Sequence, residues 1–393
     1  MDIKQGVAER IGHVESDLVR LSHAIHAHPE QGFEEVRASG WLTDLLAGAG
    51  FSVEAGVCDL PTSFTASYGS GPLQVAFVAE YDALPGIGHA CGHNVIAALS
   101  TGAALAAARV ADEAGLTVRV IGTPAQELGG GKILMMQRGA FDGVHAAMMA
   151  HPAPLDVADV TTLAMSHFDI EFTGRESHAS MFPESGLNAL DGMTVAQTAI
   201  GLLRQQMRPA DRVHGVIRHG GDAPHVTPHR ITAEYMIRAQ SLAELDQLEP
   251  RVHNCFHAGA LASGTSVQID RYHPSYAELR QDQALLALYR ENAIANGRVF
   301  PDLDPELVRR AAGATDMGNV SHVIPSLHPA IGLDSFPAVP HQADFAAFGN
   351  TPVADRAVLQ GAAALAATAV DAATTTDLRD RLLASAYRAQ PAI

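Results

Sequence analysis

Between residues 73 and 150, short apolar runs alternate with helical stretches, and each run ends beside a polar residue able to do chemistry. Leu73–Ala79 alternates as a strand does and leads, through Glu80-Tyr81-Asp82 and a Pro/Gly loop, to an Ala-rich helix over 95–111. Thr117–Ile121 is the next strand. Gly122-Thr123-Pro124, then Gln126-Glu127 and the turn Gly129-Gly130-Gly131, precede a helix over 133–138. Ala146–Ala150 is a third strand and ends at His151-Pro152. Such alternation predicts a sheet with parallel strands covered by helices. Sheets of this kind bind ligands in the crevice beyond the carboxyl ends of their strands. Asp82, Glu127 and His151 all fall there, and three placements of one kind outweigh any single motif.

The rest of the chain is arranged around this unit. Ile11, Val14, Leu18, Leu21 and Ile25 are spaced for an amphipathic helix, which must end near His28 because Pro29 disfavours helical backbone before it. A second helix over 34–49 closes at Gly50, and strands follow over 51–57 and 63–68. Near residue 165 the rhythm changes. A strand over 166–173, a helix over 187–207, strands over 213–219 and 231–239, a helix over 242–262 and a strand over 266–272 give β-α-β-β-α-β, the ferredoxin-like order. A helix over 282–295, a strand Leu327–Leu333 and an Ala-rich helix from Val353 resume the first pattern. The predicted fold class is α/β, a mixed sheet covered by helices, with an inserted ferredoxin-like α+β domain. The expected boundaries are 1–164 with 275–393 for the first domain and 165–274 for the insert. A chain of 393 residues is too long for one ordinary core.

Composition narrows the partners. A formal charge of −17 argues against nucleic acid or an anionic membrane. The apolar stretch Val95–Val110 is interrupted by Ser100, Thr101 and Arg109 and falls short of a membrane span. The N-terminus is polar and lacks the apolar core of a signal peptide. Cys58, Cys91 and Cys255 cannot all pair within one chain, which suits a reducing, cytoplasmic setting.

Cys91-Gly92-His93 places a thiolate and an imidazole two residues apart at the mouth of a helix, an arrangement suited to a transition metal. Alone it is weak evidence, because a buried Cys is usually a small apolar residue. Asp82 could simply cap a turn, and any single one of 20 histidines is a poor candidate. The further candidates are Gln126-Glu127, His151 and Val339-Pro340-His341.

Taken together, these segments resemble the aminoacylase/carboxypeptidase-G family of two-metal amidohydrolases. Within it they are most similar to the branch of p-aminobenzoyl-glutamate hydrolases, auxin-amide hydrolases and β-alanyl-lysine-type dipeptidases. The likeness begins at His26-Ala27-His28-Pro29-Glu30 and Gly32-Phe33-Glu34-Glu35. It continues through Tyr81–Asn94, Gly122–Lys132, Met149–Pro152 and His178-Ala179-Ser180 to Thr315–Ser321 and His341. The resemblance implies two divalent ions per chain held by Cys91, His93, Glu127, His151 and His341, with Cys91 as the bridge and Asp82 orienting a ligand. Imidazole, carboxylate and thiolate together leave Zn, Mn, Co or Ni open. It also implies that the insert is a lid and dimerisation domain. His178 would stabilise the oxyanion, reaching a partner subunit's site in a homodimer. Arg238 would pair with a substrate carboxylate, a task suited to its fork of donors. Gly318 and Asn319 would line the cleft. Arg238 read by itself is a solvated strand-end charge, and Gly318-Asn319 a turn. The implied reaction is hydrolysis of the amide bond of an N-acyl amino acid, an aminobenzoyl-glutamate-like amide or a dipeptide by an activated water.

One position departs from the family. The central pair there is Glu-Glu, its first member being the general base; here it is Gln126-Glu127. An amide keeps the shape and can hydrogen-bond the water, but it cannot accept the proton or pass it to the leaving amine. Either a Glu was deliberately changed to trap a substrate, or the natural protein lacks the base; the integrity of every other motif favours the first. Two alternatives to an amidohydrolase remain: hydrolysis of an aromatic amine at the same metals, and a non-catalytic small-ligand-binding homologue.

Overall fold

The strands within residues 73–150 run parallel to one another in one sheet, which is mixed, as expected, because the two strands before them add antiparallel pairings. The computed structural model describes residues 3–388. Helices α1 (Ile3–Ala27) and α2 (Val36–Gly48) precede strands β1 (Ser52–Ala55), β2 (Phe64–Tyr68) and β3 (Leu73–Ala79). Helix α3 (His93–Ala108), a single turn α4 (Ala111–Ala114) and β4 (Leu116–Gly122) follow. Then come α5 (Gly131–Gln137), β5 (Ala146–Met148) and β6 (His151–Ala153). β4 lies between β2, antiparallel to it, and β3, parallel to it; β5 continues the parallel part on the far side of β3. The register pairs Leu73 with Leu116 and Ala79 with Gly122. The two strands therefore stop at the same height, and the residues beyond them emerge side by side.

The chain up to Thr161 and from Leu279 onward makes one compact unit, and Thr162–Glu278 makes a second. The second unit runs β7 (Ala164–Thr173), α6 (Ala189–Leu203), β8 (Arg212–His219), β9 (Arg230–Ala239), α7 (Leu242–Ser263) and β10 (Ser266–Arg271). Its four strands form an antiparallel sheet in the order β10-β7-β9-β8. Phe168, Ile170 and Phe172 of β7 and Ile231, Ala233, Tyr235 and Ile237 of β9 point to one face, against Met193 and Ile200 of α6 and Leu248, Val252 and Phe256 of α7. That is the period-two alternation expected of a sheet with one covered face.

The first unit resumes with α8 (Gln283–Ala295), α9 (Pro305–Arg310), α10 (Met317–Ser321), β11 (Ser326–Leu327) and β12 (Ala330–Gly332). α11 (Ala343–Ala346), α12 (Pro352–Thr374) and α13 (Thr376–Leu383) close it. The single strand expected over 327–333 is two. β11 pairs with β5 in the main sheet, whereas β12 pairs with β6 in a separate ribbon. The break is His328-Pro329, since proline offers no N–H to a ladder. His151, expected as a strand terminus, instead opens β6, and its N–H donates to Pro329 O at 2.9 Å.

α3 is buried on every side and packs against α1 and α12. Alanines let these helices approach closely: a Cβ on Gly102 would sit 2.7 Å from Leu18 and 2.9 Å from Ala362. Among the described residues α12 is the one helix long and apolar enough to cross a membrane. Of its most apolar window, 78% is buried within the protein, as in a core helix.

Candidate metal centre

Asp82, Glu127 and His151 follow the carboxyl ends of β3, β4 and β5, Cys91 and His93 lie at the mouth of α3, and His341 precedes α11. Gly92 separates Cys91 from His93 at a φ of 77°, in the left-handed region, and a Cβ there would lie 2.7 Å from Pro152. Only glycine meets both demands, and its bareness lets the mouth of α3 touch the strand bearing His151. The loop carrying His341 is tied to the same place by His341 N–H, which donates to Ala90 O at 2.8 Å.

Four donor residues surround Cys91. Its Sγ is 3.5 Å from His151 Nε2 and 3.4 Å from His341 Nε2. Glu127 links His341 to His93: Oε2 is 3.3 Å from His341 Nε2 and Oε1 is 3.8 Å from His93 Nε2. Two overlapping triads result, Cys91-His93-His151 and Cys91-Glu127-His341, each with its donor atoms within 4.8 Å of one another. Asp82 joins them from behind. Its Oδ1 is 2.8 Å from His93 Nδ1, and its Oδ2 accepts from Glu127 N–H at 3.0 Å. Asp82 therefore fixes the tautomer that leaves His93 Nε2 facing the cluster, as a carboxylate behind a metal-bound histidine does.

The donor set suits metal on its own terms. Among the described residues, His93 Nε2 and Glu127 Oε1 are buried in the cluster without a hydrogen-bond partner, which is costly for groups meant only to pack. Burial raises the Cys91 thiol and Glu127 raises it further, yet His151 and the hydrogen bonds from His151 and His341 bring it down to about 6. Hydrogen bonds to Cys91 and Glu127 carry His341 up to about 10. Burial lowers His93, but Asp82 and Cys91 outweigh it and hold the ring well above its usual value. Anionic and imidazole donors thus face one another at close range, a donor set that would suit a divalent ion.

A second buried cluster lies beneath the first. Lys132, fully buried at the start of α5, has Nζ 2.6 Å from Glu80 Oε1 and 2.7 Å from Asp316 Oδ1. Its backbone N–H donates to Asp316 Oδ2 at 3.0 Å. Glu80 Oε2 in turn lies 3.5 Å from His93 Nε2. Burial alone would raise the Glu80 carboxyl; Lys132 and His93 overcome this and hold it at about 2. Asp316 is pushed up to about 6 by burial, against Lys132 and with the Glu80 charge adding to it. His328 stacks on His151 with ring centroids 5.7 Å apart, and burial takes it down to about 3, so it is neutral. Sequence reasoning assigned none of Glu80, Lys132, Asp316 and His328 a role.

Of the sequence candidates, Cys91, His93, Glu127, His151, His341 and Asp82 thus come together, and the buried Gln126 immediately precedes Glu127. Gly318 and Asn319 lie in α10, the turn that follows Asp316. His178 and Arg238 belong to the second unit. His178 is exposed, and its Nδ1 accepts from Met181 N–H at 3.2 Å, which leaves Nε2 to carry the proton. Arg238, half-buried in β9, touches Met236 Sδ at 4.0 Å, and among the described residues no carboxylate lies within ion-pairing distance of it. Burial lowers its pKa from the ordinary arginine value.

The sequence over residues 76–370 matches peptidase family M20/M25/M40. The chain belongs to that family. It is 39% identical over 386 residues to a mouse Xaa-Arg dipeptidase, covering 94% of this chain and 88% of that enzyme. It is 33% identical over 279 residues to one of the subunits of the p-aminobenzoyl-glutamate hydrolase of Escherichia coli strain K12, covering 65% of this chain and 58% of that protein. A dinuclear metal-binding M20 peptidase from Bacillus subtilis has the same fold, with a TM-score of 0.63, 20% identity and coverage of 92% of this chain and 99% of that one. As an M20 protein the chain is a hydrolytic enzyme, an amidohydrolase dependent on divalent metal.

Proposed function

We propose that this M20 enzyme hydrolyses dipeptides or N-acyl amino acids at a centre of two divalent ions held by Cys91, His93, Glu127, His151 and His341. The observation that carries the proposal is the position of Cys91 Sγ, shared by both donor triads. When bound, the ions supply a polarised substrate carbonyl and an acidified water. The residues do the rest. Asp82 holds His93 and Glu127 in place, and position 126 is where the proton would be taken up and returned to the leaving amine. Gln126 can orient a water through its amide but cannot exchange that proton, so the sequence as it stands binds substrate and turns it over slowly. The mouse relative makes dipeptides with a C-terminal arginine the first substrates to try, with N-acyl amino acids and aminobenzoyl-glutamate beside them. The test is metal analysis of the loaded protein together with that substrate panel against Gln126→Glu. Two ions per chain and turnover on a dipeptide are expected; one ion, or turnover on none of the panel, overturns the reading. Gln126 itself favours one other reading, a non-catalytic binding homologue, which predicts tight ligand binding with Gln126→Glu still inert.

The same reading gives the second unit the work of a lid and a dimer contact. β8 is an edge strand with unpaired backbone groups, suited to pairing across a two-fold axis. In this unit His178, with Nε2 as donor, would stabilise the oxyanion of a partner subunit's substrate, and Arg238 would meet a substrate carboxylate. Light scattering should give about twice the 41.3 kDa chain mass; the chain mass alone contradicts the dimer. In Gln126→Glu, removing His178 should cost roughly 2.7–4 kcal/mol in the barrier.

A further inference from the structure

Glu35 ends the Gly32-Phe33-Glu34-Glu35 segment and directly precedes α2, where an acidic side chain would ordinarily cap the helix. It does not cap. It is fully buried, and its carboxyl group reaches across to another loop. Oε1 accepts from Ala125 N–H at 2.8 Å, and Oε2 accepts from Thr62 Oγ1 at 2.7 Å. Thr62 is anchored in turn by Tyr81 Oη, which donates to its carbonyl at 2.7 Å.

The recipient of that bond is unusual. Ala125 has a φ of 53°, left-handed backbone that a residue with a Cβ rarely adopts. It is also boxed in: a Cβ on Gly32 would lie 2.7 Å from Ala125 Cβ, and one on Gly129 would lie 2.6 Å from it. Alternate N–H groups of the turn are gripped in sequence. Thr123 N–H donates to Ala79 O at 2.8 Å, Ala125 N–H to Glu35, and Glu127 N–H to Asp82 Oδ2 at 3.0 Å. Residue 126 lies between the last two anchors. Of the three acceptors, Glu35 is the one that comes from outside the sheet's own strand ends, and it is placed on the strained residue.

We propose that Glu35 is a positioning residue for hydrolysis: by holding Ala125 in its left-handed conformation it sets position 126 and the Glu127 carboxylate against the metal centre. This role rests on the proposed two-metal centre. It needs a hydrogen-bond acceptor of the right length and not a charge. A glutamine fills it, accepting from Ala125 through its amide oxygen and donating to Thr62. Aspartate, one methylene shorter, withdraws from Ala125, and alanine removes the contact. Burial and the Asp82 charge raise the Glu35 carboxyl to about 7, in keeping with a group that works without its charge.

The test compares Glu35→Gln, Glu35→Asp and Glu35→Ala with the parent in two readouts. The first is zinc affinity of the otherwise unchanged chain, by competition with a chromophoric chelator. The second is kcat and KM with each substitution combined with Gln126→Glu. Glu35→Gln should stay within about threefold of the parent in both. Glu35→Ala and Glu35→Asp should bind the weaker zinc roughly 10–100-fold less tightly, as when a group supporting a metal ligand is lost. Their kcat should fall by a similar factor while KM moves little, because a misplaced base and ligand act on the chemical step. Should Glu35→Ala fail to fold, Glu35→Asp against Glu35→Gln decides. Equal zinc affinity and kcat in Glu35→Asp and the parent overturn the inference, and so does a Glu35→Gln as damaged as Glu35→Asp. A parent that binds no zinc defeats the reading of the metal centre instead, so the two failures are told apart.

Discussion

The two halves of the donor cluster share Cys91 but are held in different ways. His93 is wholly buried, fixed by Asp82 on one ring nitrogen and backed by Glu80, Lys132 and Asp316 on the other side. His341 has a side chain 57% exposed and sits on a loop at a φ of 70°; among the described residues its ring is held by Cys91 and Glu127. The buried half is thus determined by the fold before any ion arrives. In the proposed centre the open half would be completed by its ion. This contrast would give one firm position for metal and one more open to solvent and substrate, as a catalytic site with open coordination requires.

The sharpest way to break this contrast is at Lys132. Lys132→Met leaves Glu80 and Asp316 facing each other in the interior, and removing one partner from such a group costs about 3–5 kcal/mol. Chemical denaturation of the metal-free protein should show that loss. A change under about 1 kcal/mol would mean that the buried half is not braced from below. A second way uses pH and the support of the open half. The Glu35 carboxyl titrates at about 7 in the fold, above its ordinary 4.5, so the fold favours the protonated form. The stability it lends is fully present below about 4.5 and lost as pH rises through about 7. Glu35→Gln, which cannot ionise, should therefore match the parent more nearly at pH 5 and exceed it at pH 8. The relative gain between the two should be about 2–3 kcal/mol, read by denaturant unfolding at both pH values. No change in the difference between pH 5 and pH 8 would contradict it.

A chelator titration probes the contrast more gently. The ion of the open half should leave first, at a chelator concentration at least about tenfold below that needed for the second. Simultaneous loss would make the two halves one site. Smallest should be the effect of His341→Ala on the metal-free fold, about 1 kcal/mol, because the side chain is largely exposed but its bonds to Cys91 and Glu127 are lost; the variant should hold one ion instead of two.

Much of this arrangement can be read from the chain. The run Leu73–Ala79 and the acids after it mark a strand end, and Gly92 between Cys91 and His93 marks a helix mouth where a backbone must approach another. What is not legible is pairing across long separations. Nothing local links Glu80 and Lys132 to Asp316, 184 residues beyond the lysine. A signal for Lys132 nonetheless exists. Lys4 and Lys132 are the only lysines of the chain, and Lys132 opens the apolar run Ile133-Leu134-Met135-Met136, a place for a charge only if it is paired. Likewise, Leu327–Leu333 reads as one strand by its apolar content, while His328-Pro329 divides it between two sheets and brings His328 under His151. Glu35 falls inside the helix read over 34–49, whereas α2 begins at Val36 and its first N–H groups are taken by Glu30, whose carboxylate accepts from the Arg37 and Ala38 N–H groups at 3.0 Å and leaves Glu35 to act elsewhere.

The central claim is that residue 126 is the proton-transfer position beside two metal-bearing triads. A single-turnover assay of the parent and Gln126→Glu, each loaded with the same metal and given the same dipeptide, tests it most directly. The account predicts equal metal content and a rate about 10²–10⁴-fold higher for Gln126→Glu. Equal rates at equal metal content would contradict it, and would place the proton acceptor elsewhere in the cleft.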